Sequence, residues 1–171
     1  MKENKPLRKH SNMRHIILGA CATAMLLLAA CSGGSKYQTY RGLSFELKAE
    51  AMADSLVARG FVIDTTQQSP DFIVLNKDGE RYAVTILREG DGVGMVREDY
   101  TVKDNDESTA LYWEMRKTLE KELGFRPGMK MDKEGHKDCV FQTKAGDVDL
   151  MLENTYVPTF YIEYKQKEEK K

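Results

Sequence analysis

The spacing of apolar residues changes along the chain and divides it into helical and extended segments. Between residues 107 and 123, apolar side chains recur every three or four positions, which predicts an amphipathic helix. Asp106 is the expected N-cap of this helix, and Gly124 follows its last turn. A weaker repeat predicts a first helix over residues 44–59, with Ser44 as its N-cap and Gly60 after its end.

Outside these helices, apolar residues form short runs or alternate with polar ones, as in β-strands. Asp78-Gly79 is typical of a hairpin turn. The predicted strands cover residues 61–64, 72–76, 80–88, 93–100, 137–143, 147–154 and 159–165. The pattern therefore predicts an α+β fold in which two helices pack on an antiparallel sheet.

The two helix-plus-strand segments resemble each other. Each predicted helix is followed by Gly-Phe, at Gly60-Phe61 and at Gly124-Phe125. Residues 71–79 and 138–146 also share Asp, Lys and Gly at corresponding positions. These matches favour a duplicated helix-plus-hairpins unit, with chance similarity as the alternative because the match is short.

The last hairpins can be divided into an apolar and a polar face. If Ala145-Gly146 is a two-residue loop, Phe141 lies opposite Leu150 and Cys139 opposite Leu152. The polar face of the next strand then carries Asp147, Asp149 and Glu153. In the first hairpin, apolar residues point to both faces of the sheet. This part of the sheet is therefore either covered on both sides or exposes an apolar patch for a partner.

The first thirty residues have the three zones of a bacterial signal peptide. A basic segment over residues 1–15 precedes an apolar run over residues 16–28, which is too short to span a bilayer. Leu28-Ala29-Ala30-Cys31 has the pattern of a lipobox and predicts Cys31 as the lipid-modified first residue of the mature protein. A second such pattern ends at Cys21, but cleavage there would leave too short an apolar run. There are two alternative interpretations. The apolar segment is a helix buried in the folded domain, or it stays uncleaved as a membrane anchor.

This interpretation places the protein in the cell envelope. Residues 31–39 are expected to be the lipidated Cys31 with palmitate-type acyl chains and a flexible tether, residues 40–165 a single domain, and residues 166–171 a charged tail. No Asp follows Cys31, and the tether lacks an acidic cluster that would resemble a surface-export signal. By resemblance to known lipoprotein sorting signals, the protein is expected at the outer membrane, facing the periplasm.

Charge and cysteine content limit the partners further. The predicted signal peptide contains five Lys or Arg residues and one Glu, so the mature chain has a net charge of about −5 instead of −1. An acidic domain is a poor candidate for nucleic-acid binding. Apart from Cys31, Cys139 is the single cysteine of the mature sequence, so the domain has no internal disulfide.

Two groups of residues carry the resemblance of this chain to known proteins. They are Tyr40-Arg41-Gly42-Leu43-Ser44-Phe45 and the stretch over residues 137–150. With them, residues 40–165 resemble small periplasmic lipoproteins of Bacteroidetes-type bacteria that have no assigned activity. The order of elements also resembles the β-lactamase inhibitory protein and the small lipoprotein of the outer-membrane barrel-assembly machine. This second resemblance, which concerns the fold alone, implies a helix-on-sheet fold and non-enzymatic protein binding.

Few residues of the mature sequence suggest catalysis. His136 is the only histidine and is expected in a surface loop, and Cys139 falls on an apolar face and is expected to be buried. No histidine or thiol partner is available for a zinc-type site, so neither a metal nor another cofactor is predicted. Asp147, Asp149 and Glu153 could form a carboxylate site, but solvated acids on an exposed strand face are the commoner case.

These observations favour a non-enzymatic module for binding or assembly of envelope proteins. Tyrosine is well suited to protein interfaces, and the sequence predicts that Tyr161 is exposed on the final strand, near Tyr156. The candidate binding residues are Tyr161, Tyr156, Asp147, Asp149 and Glu153. The alternatives are an inhibitor of an envelope or foreign enzyme, and a hydrolase of envelope polymers that uses the three acidic residues.

Overall fold

The computed structural model describes residues 36–67 and 69–167. The predicted signal peptide, Cys31, residues 32–35 and the last four residues of the predicted tail lie outside the described residues. The elements are β1 (Thr39–Tyr40), β2 (Leu43–Ser44), α1 (Ala49–Val57), β3 (Val62–Ile63), a 3-10 turn (Thr65–Gln67), β4 (Phe72–Asn76), β5 (Tyr82–Glu89), β6 (Gly92–Tyr100), α2 (Asn105–Leu123), β7 (Gly128–Lys133), β8 (His136–Gln142), β9 (Gly146–Glu153) and β10 (Thr159–Gln166).

The main sheet has eight antiparallel strands in the order β3-β4-β5-β6-β10-β9-β8-β7. Helix α1 packs against β3, β4 and β5, and α2 packs against β9 and β10. The predicted α+β fold of two helices on an antiparallel sheet is confirmed. Each helix is followed by four strands that pair in sequence, and the two sets meet at β6 and β10. The duplication of a helix-plus-hairpins unit stays a prediction, with which this order of strands is compatible.

The two helices begin at different distances from their predicted starts. In α2, the carboxylate of Asp104 accepts a hydrogen bond from the backbone N–H of Glu107 at 2.8 Å, so the N-cap lies two residues before Asp106. Helix α1 begins at Ala49 instead of following Ser44, because Ser44 pairs with Thr39 in a small hairpin.

Two strand predictions need correction. Strand β7 (Gly128–Lys133) was not predicted, because its apolar alternation is limited to Met129 and Met131 and most of its side chains are exposed. In the β8–β9 hairpin, Thr143 donates its backbone N–H to the Gly146 carbonyl, so the two-residue loop is Lys144-Ala145. Phe141 therefore lies opposite Val148 and not Leu150. The partner changes by two residues, so each side chain keeps its predicted face.

The core consists of two apolar clusters, one beneath each helix. Helix α1 covers a cluster that includes Leu75, Val84, Ile86 and Val96, and α2 covers a second cluster. The buried members of the second cluster are Tyr112, Leu119, Cys139, Phe141, Val148, Leu150, Leu152, Phe160 and Ile162. Burial of each large apolar side chain contributes about 1.5–3 kcal/mol, so the helix-covered face supplies most of the hydrophobic stabilisation.

The β1–β2 hairpin packs a polar cluster against the middle of the helix-covered face. The carboxylate of Glu98, which is 2% exposed, accepts hydrogen bonds from Tyr40 Oη at 2.7 Å, Tyr100 Oη at 2.8 Å and Arg41 Nη2 at 3.1 Å. Arg41 Nη2 also donates to Tyr82 Oη. Burial, followed by the charge of Glu98, raises the pKa of Tyr40 and Tyr100, so both phenols remain donors at neutral pH.

Candidate binding face

Neither helix packs on the second face of the sheet, which is called the open face here. Its residues alternate along each strand with those buried beneath the helices. They are Phe72, Val74, Thr85, Leu87, Met95, Arg97, Asp99, Tyr161, Glu163, Lys165, Asp147, Asp149, Met151, Glu153, His136, Asp138 and Val140.

The centre of the open face is an ordered pair of an arginine and a tyrosine. The guanidinium carbon of Arg97 lies 3.7 Å from the ring centroid of Tyr161, which is a close cation–π contact. Arg97 also pairs with Asp99 at 2.6 Å and with Glu163 at 3.7 Å. Burial, with a smaller contribution from Glu163, raises the pKa of Tyr161, so its hydroxyl is a neutral donor. The predicted exposure of Tyr161 is partial, because Arg97 stacks on its ring.

Asp149 lies beside this pair and is enclosed by two lysines. Its side chain is 9% exposed and contacts Lys130 Nζ at 3.0 Å and Lys165 Nζ at 3.1 Å. Lys165 also pairs with Glu163 at 2.5 Å. Burial lowers the pKa of Lys165, but the bonds to Glu163 and Asp149 outweigh it and raise this pKa overall. Asp149 is therefore not the solvated acid that alternation predicts.

The other two acids of the predicted carboxylate site have separate environments. Glu153 contacts His136 Nδ1 at 2.5 Å and accepts a hydrogen bond from the backbone N–H of Thr155 at 3.1 Å. These bonds, led by those from Thr155, lower the pKa of Glu153. Asp147 is half-buried and occupies the opposite end of β9. Among the described residues, no group of three His, Cys, Asp or Glu side chains is placed to hold a metal ion.

His136, Cys139 and Tyr156 lie in three different environments. His136 is the first residue of β8 and not part of a loop, because the turn before it is short. Cys139 is fully buried beneath α2, as predicted, and burial raises the pKa of its thiol. Tyr156 does not lie on the open face but in the loop between β9 and β10, where it is 95% exposed.

No sequence pattern pointed to Arg97, Lys130 or Asp138 as a residue of the site. Asp138 has a raised pKa because of burial, and its Oδ1 is a buried oxygen without a hydrogen-bond partner in the described part of the chain. Alternation along β6 would have placed Arg97 on a polar face. Its contact with Tyr161 depends on the pairing of β6 with β10, which are far apart in the sequence.

Comparison of the chain with protein-family models, curated proteins and solved structures finds no match. Among the described residues, no helix is both long and apolar enough to cross a membrane.

Proposed function

We propose that this protein is a lipid-anchored envelope lipoprotein that binds another envelope protein through the open face of its sheet. The observation that carries this proposal is the contrast between the two faces. One is covered by both helices, and the other carries the Arg97–Tyr161 pair, which ion pairs hold in one arrangement. A surface fixed before binding loses little conformational entropy when a partner docks.

The composition of the open face also fits protein recognition. Partly exposed apolar side chains such as Phe72, Leu87 and Met151 flank a centre of paired charges. Arginine and tyrosine are enriched among the residues that dominate binding energy at protein interfaces. The three acids of the alternative hydrolase site lie on this face, but Asp149 and Glu153 are each engaged by a basic partner. This pairing favours binding over catalysis by these carboxylates.

The membrane anchor is tested at Cys31. In cells labelled with a fatty-acid analogue, we expect the wild-type chain to be labelled and processed, and Cys31→Ser to be unlabelled and to keep its signal peptide. Cys21→Ser is the matched control, because Cys21 ends the competing lipobox pattern, and it should be labelled normally. Normal processing of Cys31→Ser would contradict the lipoprotein assignment.

The binding face is tested by reversing the charge at its centre. We expect Arg97→Glu to reduce photo-crosslinking of the lipidated protein to its partner at least tenfold in intact cells, because the substituted carboxylate faces Glu163 and leaves Tyr161 unstacked. The free energy of unfolding should change by only about 1 kcal/mol, because the ion pairs are partly exposed.

Arg126→Glu is the matched control, because Arg126 is an exposed residue after α2 and away from the open face. The crosslinked protein is identified by mass spectrometry after purification in detergent. Equal yields from Arg97→Glu and Arg126→Glu would contradict a role for the open face in binding.

A further inference from the structure

Asp138 is an acidic residue of the open face that has no basic partner. Four other acids of this face are paired with bases: Asp99 with Arg97, Glu163 with Lys165, Asp149 with Lys130 and Lys165, and Glu153 with His136. In the described part of the chain, the carboxylate of Asp138 forms no ion pair, and its buried Oδ1 accepts no hydrogen bond. Its charge is therefore not compensated by a direct contact within the domain.

Two methionines lie on either side of Asp138. Met131 of β7 and Met151 of β9 are its directly opposite neighbours on the two adjacent strands, so all three side chains share the open face. The Cβ atoms of such opposite residues are about 5 Å apart. Both methionines are partly exposed, and they shield the carboxylate from water without offering it a hydrogen-bond donor.

The charges around Asp138 do not compensate for this shielding. Burial is the largest cause and raises the pKa of Asp138, and the charge of Asp149 also raises it. Three bases, Lys130, His136 and Lys165, lower this pKa by less than burial raises it. Each of these bases already contacts another acid. The ionised carboxylate therefore destabilises the free domain, because it is partly desolvated and has no opposite charge in contact.

From this arrangement we infer that the protein that binds the open face inserts a lysine or arginine side chain between Met131 and Met151 and pairs its cationic group with Asp138. The inference rests on the proposed function, and it identifies the partner's contact group and the place where that group binds. The other acids of the central strands are not available for this role, because bases of the same domain already neutralise them.

The chemistry of the site fits a long basic side chain. Lysine and arginine pack their aliphatic stems on apolar surface while the charged end reaches a polar group, and methionine adapts its shape to such a stem. Pairing with a cation would also remove the unfavourable state of the Asp138 carboxylate. Met151 lies opposite Tyr161, so a partner docked on the Arg97–Tyr161 pair covers this site as well.

The uncompensated charge is tested on the purified domain without any partner. At pH 7 we expect Asp138→Asn to raise the unfolding temperature by about 3 °C, because it removes the charge and keeps the shape of the side chain. The gain should shrink as the pH falls toward about 4, because the folded chain takes up the proton of Asp138 at a higher pH than the unfolded chain does. Circular dichroism during heating measures both values.

Asp78→Asn is the matched control for this measurement. Asp78 is exposed in the turn between β4 and β5, so loss of its charge should leave the unfolding temperature unchanged. An unfolding temperature of Asp138→Asn equal to or below that of the wild type would overturn the inference, because Asp138 would then be satisfied within the domain.

The contact itself is tested in intact cells with a photoreactive amino acid at position 133. Lys133 is exposed and lies two residues beyond Met131, on the same face of β7. We expect one discrete adduct of the lipidated protein with another envelope protein. Asp138→Asn should reduce its yield about tenfold or more, although the variant is the more stable protein, and Asp78→Asn should leave the yield unchanged.

The identity of the contact group is tested by exchanging the two charges. Mass spectrometry of the adduct gives the partner segment, which should contain a lysine or arginine. Asp138→Lys should abolish the adduct, and replacement of that basic residue by aspartate in the partner should restore it. A partner segment without a basic residue, or no recovery in the exchanged pair, would overturn the inference.

The remaining outcomes separate this inference from the proposed function. An adduct that Arg97→Glu removes and Asp138→Asn leaves at full yield would keep the open face as the binding surface and overturn the role of Asp138. An adduct that neither substitution changes would contradict both. A product of twice the monomer mass would identify a second copy of this chain on the face and overturn the inferred partner.

Discussion

Replacement of Glu98 by alanine is expected to lower the free energy of unfolding by about 3 kcal/mol, because it leaves several buried donors without an acceptor. Glu98 is 2% exposed and accepts from Tyr40, Tyr100 and Arg41. Arg41 keeps its bond to Tyr82 and part of its exposure to water, which limits the loss. Urea denaturation, followed by circular dichroism, measures the change.

Two variants make this expectation specific. Glu98→Gln keeps an oxygen acceptor but points an amide group toward the same donors. Its free energy of unfolding should therefore lie between those of the wild type and Glu98→Ala. Asp99→Ala is the matched control on the open face of the same strand, where the carboxylate is 41% exposed, and it should cost less than about 1 kcal/mol. A similar small cost for Glu98→Ala would mean that the polar cluster does not hold the β1–β2 hairpin.

Replacement of Gly146 by alanine is expected to cost about 3 kcal/mol, the upper part of the usual range for overpacking. A Cβ at Gly146 would lie 1.9 Å from the Lys165 carbonyl oxygen, and this contact is with backbone that no side-chain rotation can relieve. The ends of β9 and β10 would have to separate, with loss of the bond from the Lys167 backbone N–H to the Ala145 carbonyl. Thermal unfolding gives the change in stability.

Gly92→Ala is the matched control for this substitution. Gly92 also begins a strand of the main sheet, but a Cβ there meets its nearest atom, the Glu89 carbonyl oxygen, at an ordinary 3.5 Å. It should change the free energy of unfolding by less than about 1 kcal/mol. Gly146→Ala with the same small effect would mean that the strand ends separate at little cost.

The sequence predicted most accurately those elements whose structure is decided by nearby residues. The predicted bounds of β4 are those observed, and the end of α2 lies before Gly124, whose φ of 78° suits a glycine that ends a helix. The start of α1 was wrong because Ser44 takes part in a hairpin with Thr39, and tertiary packing fixes that hairpin.

The candidate site was less predictable for the same reason. Alternation placed Asp147, Asp149 and Glu153 on one face of β9, where they are found. It could not show that Lys130 and Lys165 enclose Asp149, because those lysines come from strands on both sides of the hairpin. Nor could it place Arg97 on the ring of Tyr161, since their strands are separated by all of α2 and three further strands.

The hydrogen bonds between Gln38 and Gln166 bring the two ends of the folded chain together, so the polypeptide is close to a closed ring. The native contacts of such a ring are compatible with either order of the two helix-plus-strand halves in the sequence. Linking the two chain ends would require closure of only a short loop.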